Sequence, residues 1–151
     1  MEDKFKTFLE IAKKLNEHGI IPTLYGSLGV YRLIGELNAI NDIDIVIPNK
    51  ILIDQFDELS AAISEIGYKQ DIHYQHEFTK GNGQIGFEPE SDLQKIGIDT
   101  EELKVTAMGE VKFKELSQKD YLVVYNSYLK VYENKADSIK LKISKLEELE
   151  R

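Results

Sequence analysis

The sequence predicts an α/β (α+β) fold: a mixed, mostly antiparallel sheet with helices on one face and a C-terminal helical pair. Three observations predict it. Two short apolar strand patterns near the N-terminus alternate with amphipathic helical patterns, two hairpin patterns follow, and the helical period returns near residue 117. We expect an α/β domain over 1–116, with C-terminal helices over 117–151 packed on it as one compact unit.

The first half of the chain is expected to run helix, strand, helix, strand, helix. Residues 3–18 place apolar side chains at helical spacing, and Gly19 supplies a stop. The stretch IIPTLYG predicts a short buried strand that ends at Gly26, and Ser27 is expected to cap a helix over about 28–35. The stretch IDIVIP predicts a second apolar strand, and 50–66 predicts another amphipathic helix.

The second half is expected to form hairpins and then helices. The stretches YKQDIHYQHEFT and QIGFE flank the turn at 80–83, whose Gly-Asn-Gly is a strong hairpin signal. Residues 89–102 are polar and predicted to be irregular, and LKVTAMGEVKF predicts a further hairpin. Ser117 and Asp120 predict a capping box that starts a helix over 118–132, and a last helix is expected from Asn134 onward.

Composition excludes several classes of protein. The chain has 151 residues, a formal net charge of −8 and no cysteine, so disulfides, thiolate catalysis and cysteine-type zinc sites are excluded. No basic face is evident, which argues against a long nucleic acid as partner. No apolar run is long enough for a membrane span and the N-terminus lacks the features of a secretory signal, so we expect no membrane partner and a cytoplasmic location. The sequence leaves the oligomeric state open.

Two aspartates interrupt the second apolar strand. Strand alternation directs Ile43, Ile45 and Ile47 to the core, and it directs Asp42 and Asp44 to the opposite face, about 7 Å apart. In a cleft of effective dielectric about 20 their repulsion would be roughly 2–3 kcal/mol. Mg²⁺, which takes one or two carboxylates and completes its shell with phosphate oxygens and water, is the natural cation to offset it. On a solvated face the same pair would need no explanation.

The Gly-Ser turn before the short helix suggests a phosphate site. Gly26 allows a ligand to approach the backbone closely, Ser27 offers a hydroxyl, and the helix start offers free N–H groups and the positive end of its dipole. Gly-Ser before a helix is common, and so is a half-solvated strand with alternating aspartates. In this order, separated by one short helix, the two patterns become more specific for phosphoryl or nucleotidyl transfer.

These residues resemble the signature of the nucleotidyltransferase superfamily, which has the polymerase-β-like fold. Gly26-Ser27, a short helix and Asp42-Ile43-Asp44-Ile45 carry the resemblance, and fourteen residues separate Ser27 from Asp42, near the long end of what the signature allows. The chain is most similar to the small-molecule branch, the lincosamide and aminoglycoside nucleotidyltransferases, through four further stretches: LGVYRLIGEL, His76-Glu77-Phe78 with GNGQIGFEP, LSQKDYLVVYNSYLK and NKADSIKLKISKL.

The resemblance implies a fold, a reaction and a set of residues. It implies a nucleotidyltransferase-like fold, Mg²⁺ on Asp42 and Asp44, and transfer of a nucleoside monophosphate from a nucleoside triphosphate, ATP among them, to a small hydroxylated acceptor. It also implies a third carboxylate on a later strand, but the aligned position is Gly86. Glu88 lies on the same strand face and is the proposed substitute; Glu90, Asp92 and Asp99 are looser candidates.

Several other side chains admit two interpretations. The resemblance implies a phosphate-contacting lysine, for which we name Lys130 together with Gly26 and Ser27 as nucleotide-binding residues; Lys135 and Lys140 are alternatives, and each lysine also fits an exposed helix face. Tyr125, Tyr128 and Tyr132 fit either a ligand wall or packing. His73 and His76 are expected on opposite strand faces, which argues against a shared metal.

Three functions stay open at this point. The first is the enzyme described above. The second is a degenerate nucleotide-binding or regulatory module that lost the third acid. The third is a protein-modifying minimal nucleotidyltransferase of a toxin–antitoxin pair, in which the acceptor is a protein side chain.

Overall fold

The computed structural model describes residues 2–35, 40 and 42–149 of the chain. Its helices and strands come in the following order: α1 Glu2–Glu17, β1 Thr23–Tyr25, α2 Gly26–Ile34, β2 Ile43–Ile47, α3 Asn49–Ile53, α4 Phe56–Glu65, β3 Lys69–Gln70, β4 Glu77–Lys80, β5 Gly83–Pro89, α5 Glu90–Gln94, β6 Lys104–Met108, β7 Val111–Glu115, α6 Gln118–Leu129, a 3₁₀ turn Glu133–Lys135 and α7 Ala136–Glu148. The predicted α/β class with a C-terminal helical pair is confirmed.

The seven strands form one mixed sheet in the order β3-β4-β5-β2-β1-β7-β6. The pairs β2–β5 and β1–β7 are parallel, and the other four pairs are antiparallel. Across the centre of the sheet, Asp44 on β2 pairs with Tyr25 on β1 and with Gly86 on β5, while Val46 pairs with Glu88. This register places the carboxylates of two different strands on one face.

The sheet is covered on both faces. On one side α1 and α4 pack against Ile43, Ile45 and Ile47, so the alternation predicted for β2 is confirmed. On the other side α6 and α7 pack against Tyr25 and Val46 and bury a second core. Each core removes large apolar side chains from water, which is the main stabilising term for such a layered domain.

Local chemistry explains where the elements begin and end. The predicted capping box is confirmed at α6, because the Ser117 hydroxyl accepts from the N–H of Asp120 at 3.1 Å and the Asp120 carboxylate accepts from the N–H of Ser117 at 3.2 Å. The expected cap at Ser27 is wrong: α2 begins at Gly26, two residues earlier than expected, with Tyr25 as N-cap and no side-chain cap. Gly26 has φ +65°, which allows the strand to turn directly into the helix.

Three other stretches differ from expectation. The predicted helix over 50–66 is two helices, α3 and α4, and the stretch 89–102 contains the short helix α5. The long strand expected over 68–79 is divided, because the Asp71 carboxylate accepts from the N–H groups of His73 and Tyr74 at 2.7 and 3.0 Å. Such a side-chain bond favours a turn over a sheet ladder. In the described part of the chain, no helix is long and apolar enough to span a membrane.

Candidate active site

A cavity of about 320 Å³ lies between the sheet and the C-terminal helices. Its floor comes from the sheet and from the start of α2, and its opposite wall comes from α6, from the 3₁₀ turn and from α7. The residues that line it are Tyr25, Gly26, Ser27, Asp44, Glu88, Tyr125, Tyr128, Tyr132, Lys135, Ser138, Ile139 and Lys142. The cavity therefore brings together the turn at 26–27 and two carboxylates from neighbouring strands.

The Gly26 turn and the Asp44 carboxylate are in close contact. A Cβ atom added at Gly26 would lie 2.3 Å from Oδ2 of Asp44, so only glycine fits there without displacing the carboxylate. On the other side a Cβ at Gly86 would lie 3.4 Å from Oδ1 of Asp44, an ordinary contact. The first turn of α2 carries no side-chain cap, so its N–H groups stay available to a ligand at this point.

Asp44 and Glu88 are both substantially removed from water. Burial, with the charge of Asp42 added, raises the pKa of Asp44 to about 6. Burial, followed by the charges of Asp44 and Asp92, raises the pKa of Glu88 to about 7. Burial penalises each carboxylate, and the neighbouring negative charges add to the penalty. The floor of the cavity therefore favours a bound cation.

Two lysines face this acidic floor. Lys142 is half-buried, with its Nζ atom 5.2 Å from the centre of the Tyr125 ring, and burial lowers its pKa. Lys135 is exposed, with its Nζ atom 5.7 Å from the centre of the Tyr132 ring. Contacts of this kind between cations and aromatic faces orient the lysine side chains. An anionic ligand would thus meet lysines on one wall and helix N–H groups on the other.

A row of tyrosine rings connects the sheet to the cavity mouth. Tyr25 stacks on Tyr121, which stacks on Tyr125; Tyr125, Tyr128 and Tyr132 follow in edge-to-face contacts. The hydroxyls of Tyr25 and Tyr128 lie 2.7 Å apart in a hydrogen bond. At the base of the row, Gly29 lies so close to Tyr121 that a Cβ there would be 1.8 Å from its hydroxyl. This glycine lets α2 and α6 approach each other beside the site.

The structure separates the residues named from the sequence into two groups. Gly26, Ser27, Asp44 and Glu88 line the cavity, as do the three tyrosines, whereas Lys130 is exposed at the end of α6 and does not line it. Asp42 is half-buried directly before β2; it is outside the lining, but its charge acts on Asp44. Within residues 2–35, 40 and 42–149, no group of three or more Asp, Glu or His side chains is arranged to hold a metal ion.

Sequence reasoning missed Tyr25, Ser138 and Lys142. The α7 residues follow Lys135 at three- and seven-residue intervals, which places them on one helix face, but nothing in the sequence says that this face lines a cavity. Tyr25 reads as an ordinary strand residue, and only its pairing with Asp44 places it beside the site.

The raised pKa values predict how stability depends on pH. Both carboxyls have folded pKa values above their ordinary values of 3.8 and 4.5, so the folded chain binds more protons than the unfolded chain between about pH 4 and pH 7. The free energy of unfolding should therefore fall as pH rises through that window. We expect Glu88→Gln to raise the stability at pH 8 by about 1–3 kcal/mol, or roughly 2–12 °C, with little gain at pH 4.

Thermal melts of both proteins at pH 4 and pH 8 measure this effect. Glu101→Gln, at an exposed position, is the matched control and should change little at either pH. A destabilised Glu88→Gln variant at pH 8 would contradict the assignment of Glu88 as a costly buried carboxylate.

Comparison with known proteins yields one relative by sequence and several by fold. No protein-family model matches the chain. The chain is 35% identical over 127 residues to the uncharacterized protein YnaI of Bacillus subtilis (strain 168), and the match covers 83% of this chain and 81% of that protein.

The similar solved structures are nucleotidyltransferases or are described as like them. An antigenic nucleotidyltransferase-like protein from Paracoccidioides brasiliensis has a TM-score of 0.71 at 18% identity, covering 97% of this chain and 77% of that one. The lincosamide antibiotic adenylyltransferase LnuA, with lincomycin bound, has a TM-score of 0.59 at 17% identity, covering 97% and 96%. ANT(2″)-Ia in complex with adenylyl-2″-tobramycin has a TM-score of 0.56 at 12% identity, covering 99% of both chains.

At 12–18% identity the structural matches show a shared fold, and the predicted resemblance in fold is confirmed. The sequence match, 35% identity over 127 residues, is strong enough to show membership of one family. The chain belongs to the same family as YnaI of Bacillus subtilis, and its fold is nucleotidyltransferase-like.

Proposed function

We propose that this protein transfers a nucleoside monophosphate from a nucleoside triphosphate to a small hydroxylated acceptor, with Mg²⁺ as cofactor. The observation that carries the proposal is the convergence of the Gly26-Ser27 turn, Asp44 and Glu88 on one cavity opposite Lys135 and Lys142. Carboxylates for a cation, amides and lysines for phosphates, and a separate carboxylate for a proton are the groups this chemistry requires. The fold likeness to two antibiotic-modifying nucleotidyltransferases adds support.

The donor set fits Mg²⁺ that arrives with a nucleotide. Asp44 is buried at a cost, its carboxylate faces the cavity, and the charge of Asp42 acts on it. Two carboxylates suffice for Mg²⁺ when phosphate oxygens and water complete its shell. Bound there, Mg²⁺ would neutralise the charge that develops on the phosphates during transfer. Because the described residues provide no cluster of three ligands, we infer that metal binding depends on the nucleotide.

In the proposed reaction, Glu88 accepts the proton of the acceptor hydroxyl, and the oxygen of that hydroxyl attacks the α-phosphorus of the nucleotide. The new oxygen–phosphorus bond forms, the bond to pyrophosphate breaks, and pyrophosphate leaves with the electron pair. A folded pKa of about 7 suits a general base near neutral pH. The N–H groups of α2, the Ser27 hydroxyl and the two lysines would hold the phosphates in line for this attack.

One observation favours a second candidate, a nucleotide-binding module without transferase activity. Gly86 stands directly beside Asp44 in the sheet, at the position where the resemblance implies the third carboxylate. If Glu88 does not replace that carboxylate, the cavity would still bind the nucleotide. The two candidates agree on binding and differ only on turnover.

Nucleotide binding is tested by a thermal-shift titration with ATP and the other nucleoside triphosphates, with and without Mg²⁺. A ligand at 100 times its dissociation constant should stabilise the folded protein by about 2.7 kcal/mol, or roughly 5–10 °C. Asp44→Asn should remove the Mg²⁺-dependent part of this shift. Asp57→Asn, at an exposed position on α4, is the control and should keep it. An unchanged shift in Asp44→Asn would contradict the proposed site.

Transfer is tested by release of pyrophosphate in the presence of hydroxylated small molecules. Lincomycin and tobramycin belong in this panel, because the structural neighbours were crystallised with lincomycin or an adenylylated tobramycin. Binding of nucleotide without pyrophosphate release across the panel would favour the module over the enzyme.

A further inference from the structure

The hydroxyl pair formed by Tyr25 and Tyr128 has one hydrogen more than its own bond needs. Two phenols carry two O–H donors, and the 2.7 Å bond between them uses one. Among the residues that the structure describes, neither hydroxyl has another hydrogen-bond partner. One O–H group therefore remains available on the wall of the cavity that both residues line.

We assign the available donor to Tyr128. Tyr25 is the more deeply placed residue, on the strand and 5% exposed, while Tyr128 is half-buried on α6. Either phenol could donate in the shared bond. The more exposed position of Tyr128 favours it as the acceptor in that bond, with its own O–H group directed to the cavity that it lines. If Tyr25 donates to Tyr128, the Tyr128 O–H group is left without an acceptor.

The pair lines the same cavity as Asp44 and Glu88, and Tyr25 is the sheet partner of Asp44. The edge-to-face contacts of Tyr128 with Tyr125 and Tyr132, at ring-centre distances of 5.7 and 5.4 Å, hold its ring between two neighbours. The Tyr128 ring is held in place, its hydroxyl oxygen accepts a hydrogen bond from Tyr25, and its O–H group is available. Such a group is a preorganised hydrogen-bond donor.

We propose that Tyr128 donates its hydroxyl hydrogen to an oxygen atom of the ligand in this cavity, and that Tyr25 holds Tyr128 in place for this contact. The proposal rests on the proposed function for its ligand. The oxygen comes from one of two sources, the nucleotide or the acceptor hydroxyl whose proton Glu88 takes. In both cases the ligand oxygen accepts one hydrogen bond from a neutral phenol.

The test compares Tyr128→Phe with Tyr25→Phe. Each variant loses the same single bond between the two phenols, so a purely structural role predicts equal losses in every measurement. The proposal predicts an asymmetry, because Tyr25→Phe keeps the Tyr128 O–H group and Tyr128→Phe does not. Melting temperatures without ligand should fall by similar amounts in both variants and show that both fold.

The first arm measures equilibrium binding of α,β-methylene-ATP with Mg²⁺, an analogue that cannot release pyrophosphate. If the oxygen belongs to the nucleotide, Tyr128→Phe weakens binding by roughly 3- to 30-fold relative to Tyr25→Phe. The second arm measures pyrophosphate release from ATP with glycerol as the hydroxyl acceptor. If the oxygen belongs to the acceptor, Tyr128→Phe lowers kcat by a similar factor and leaves the KM for ATP unchanged.

Two other outcomes overturn the proposal in distinguishable ways. Equal behaviour of the two variants in both arms, with a wild-type protein that binds the analogue, overturns the role of Tyr128 and leaves the proposed function standing. A wild-type protein that binds neither ATP nor the analogue overturns the proposed function, and this inference with it.

Discussion

Glu88→Gln is expected to lower the rate of nucleotidyl transfer by about 10²- to 10⁴-fold while nucleotide binding is kept, because a general base contributes that much to a proton-transfer step. Glutamine has nearly the same shape and fills the same space in the wall of the cavity. It carries no charge and cannot take the acceptor proton. The loss should therefore appear in kcat, with a small effect on the affinity for the nucleotide.

The measurement is pyrophosphate release with an acceptor identified from the panel, alongside thermal shift for binding. Glu90→Gln is the matched control: Glu90 is on the short helix directly after β5 and does not line the cavity. A Glu88→Gln variant with wild-type turnover would exclude Glu88 as the base.

The register of the sheet offers a rescue experiment. Gly86 is in the strand beside Asp44, has no positive φ, and leaves ordinary contact space for a Cβ. In the Glu88→Gln background, Gly86→Asp would place a carboxylate at the position that the resemblance implies. We expect it to restore part of the turnover and to leave nucleotide binding dependent on Mg²⁺.

Gly26→Ala is expected to abolish Mg²⁺-dependent nucleotide binding. The added Cβ would lie 2.3 Å from Oδ2 of Asp44, so either the carboxylate or the start of α2 must move. The backbone at φ +65° also costs an L-residue about 1–2 kcal/mol. Loss of the Asp44 position removes the cation contact, and a shift of the helix start removes the N–H groups from the phosphates.

Gly109→Ala separates these two causes. Gly109 has φ +62°, nearly the same backbone conformation, but a Cβ there meets nothing within 4 Å. Both variants should lose comparable stability from backbone strain, and only Gly26→Ala should lose the thermal shift with ATP and Mg²⁺. Equal nucleotide binding in the two variants would show that the contact with Asp44 is unimportant for the ligand.

Part of the candidate site could be predicted from the sequence because it depends on local rules. Strand alternation places the Asp44 side chain on the other face of the strand from Ile43 and Ile45, and this does not depend on the rest of the fold. A glycine between a strand and a helix marks a sharp turn, and Gly26 occupies it. Glu88 follows by the same alternation once β5 pairs with β2.

The remainder depends on tertiary packing. Lys142 and Ser138 reach the cavity only because α7 packs against α2 and α6 with that face inward, and helical periodicity does not predict this packing. The position of Lys130 depends on packing in the same way: it follows the last turn of α6, is exposed and is outside the lining of the cavity. The prediction of one long strand over 68–79 was wrong because the Asp71 carboxylate accepts hydrogen bonds from two backbone N–H groups that a continuous strand would use in the sheet.

The two glycines beside Asp44, Gly26 and Gly86, should differ in how well they tolerate substitution. At position 26 every replacement adds a Cβ atom that would clash with the Asp44 carboxylate. Active clones from a library of random substitutions should therefore carry glycine there almost without exception. At position 86 the strand accepts a side chain at ordinary contact distance. Directed evolution of new acceptor preferences in this family should therefore accumulate its substitutions at 86 and leave 26 untouched.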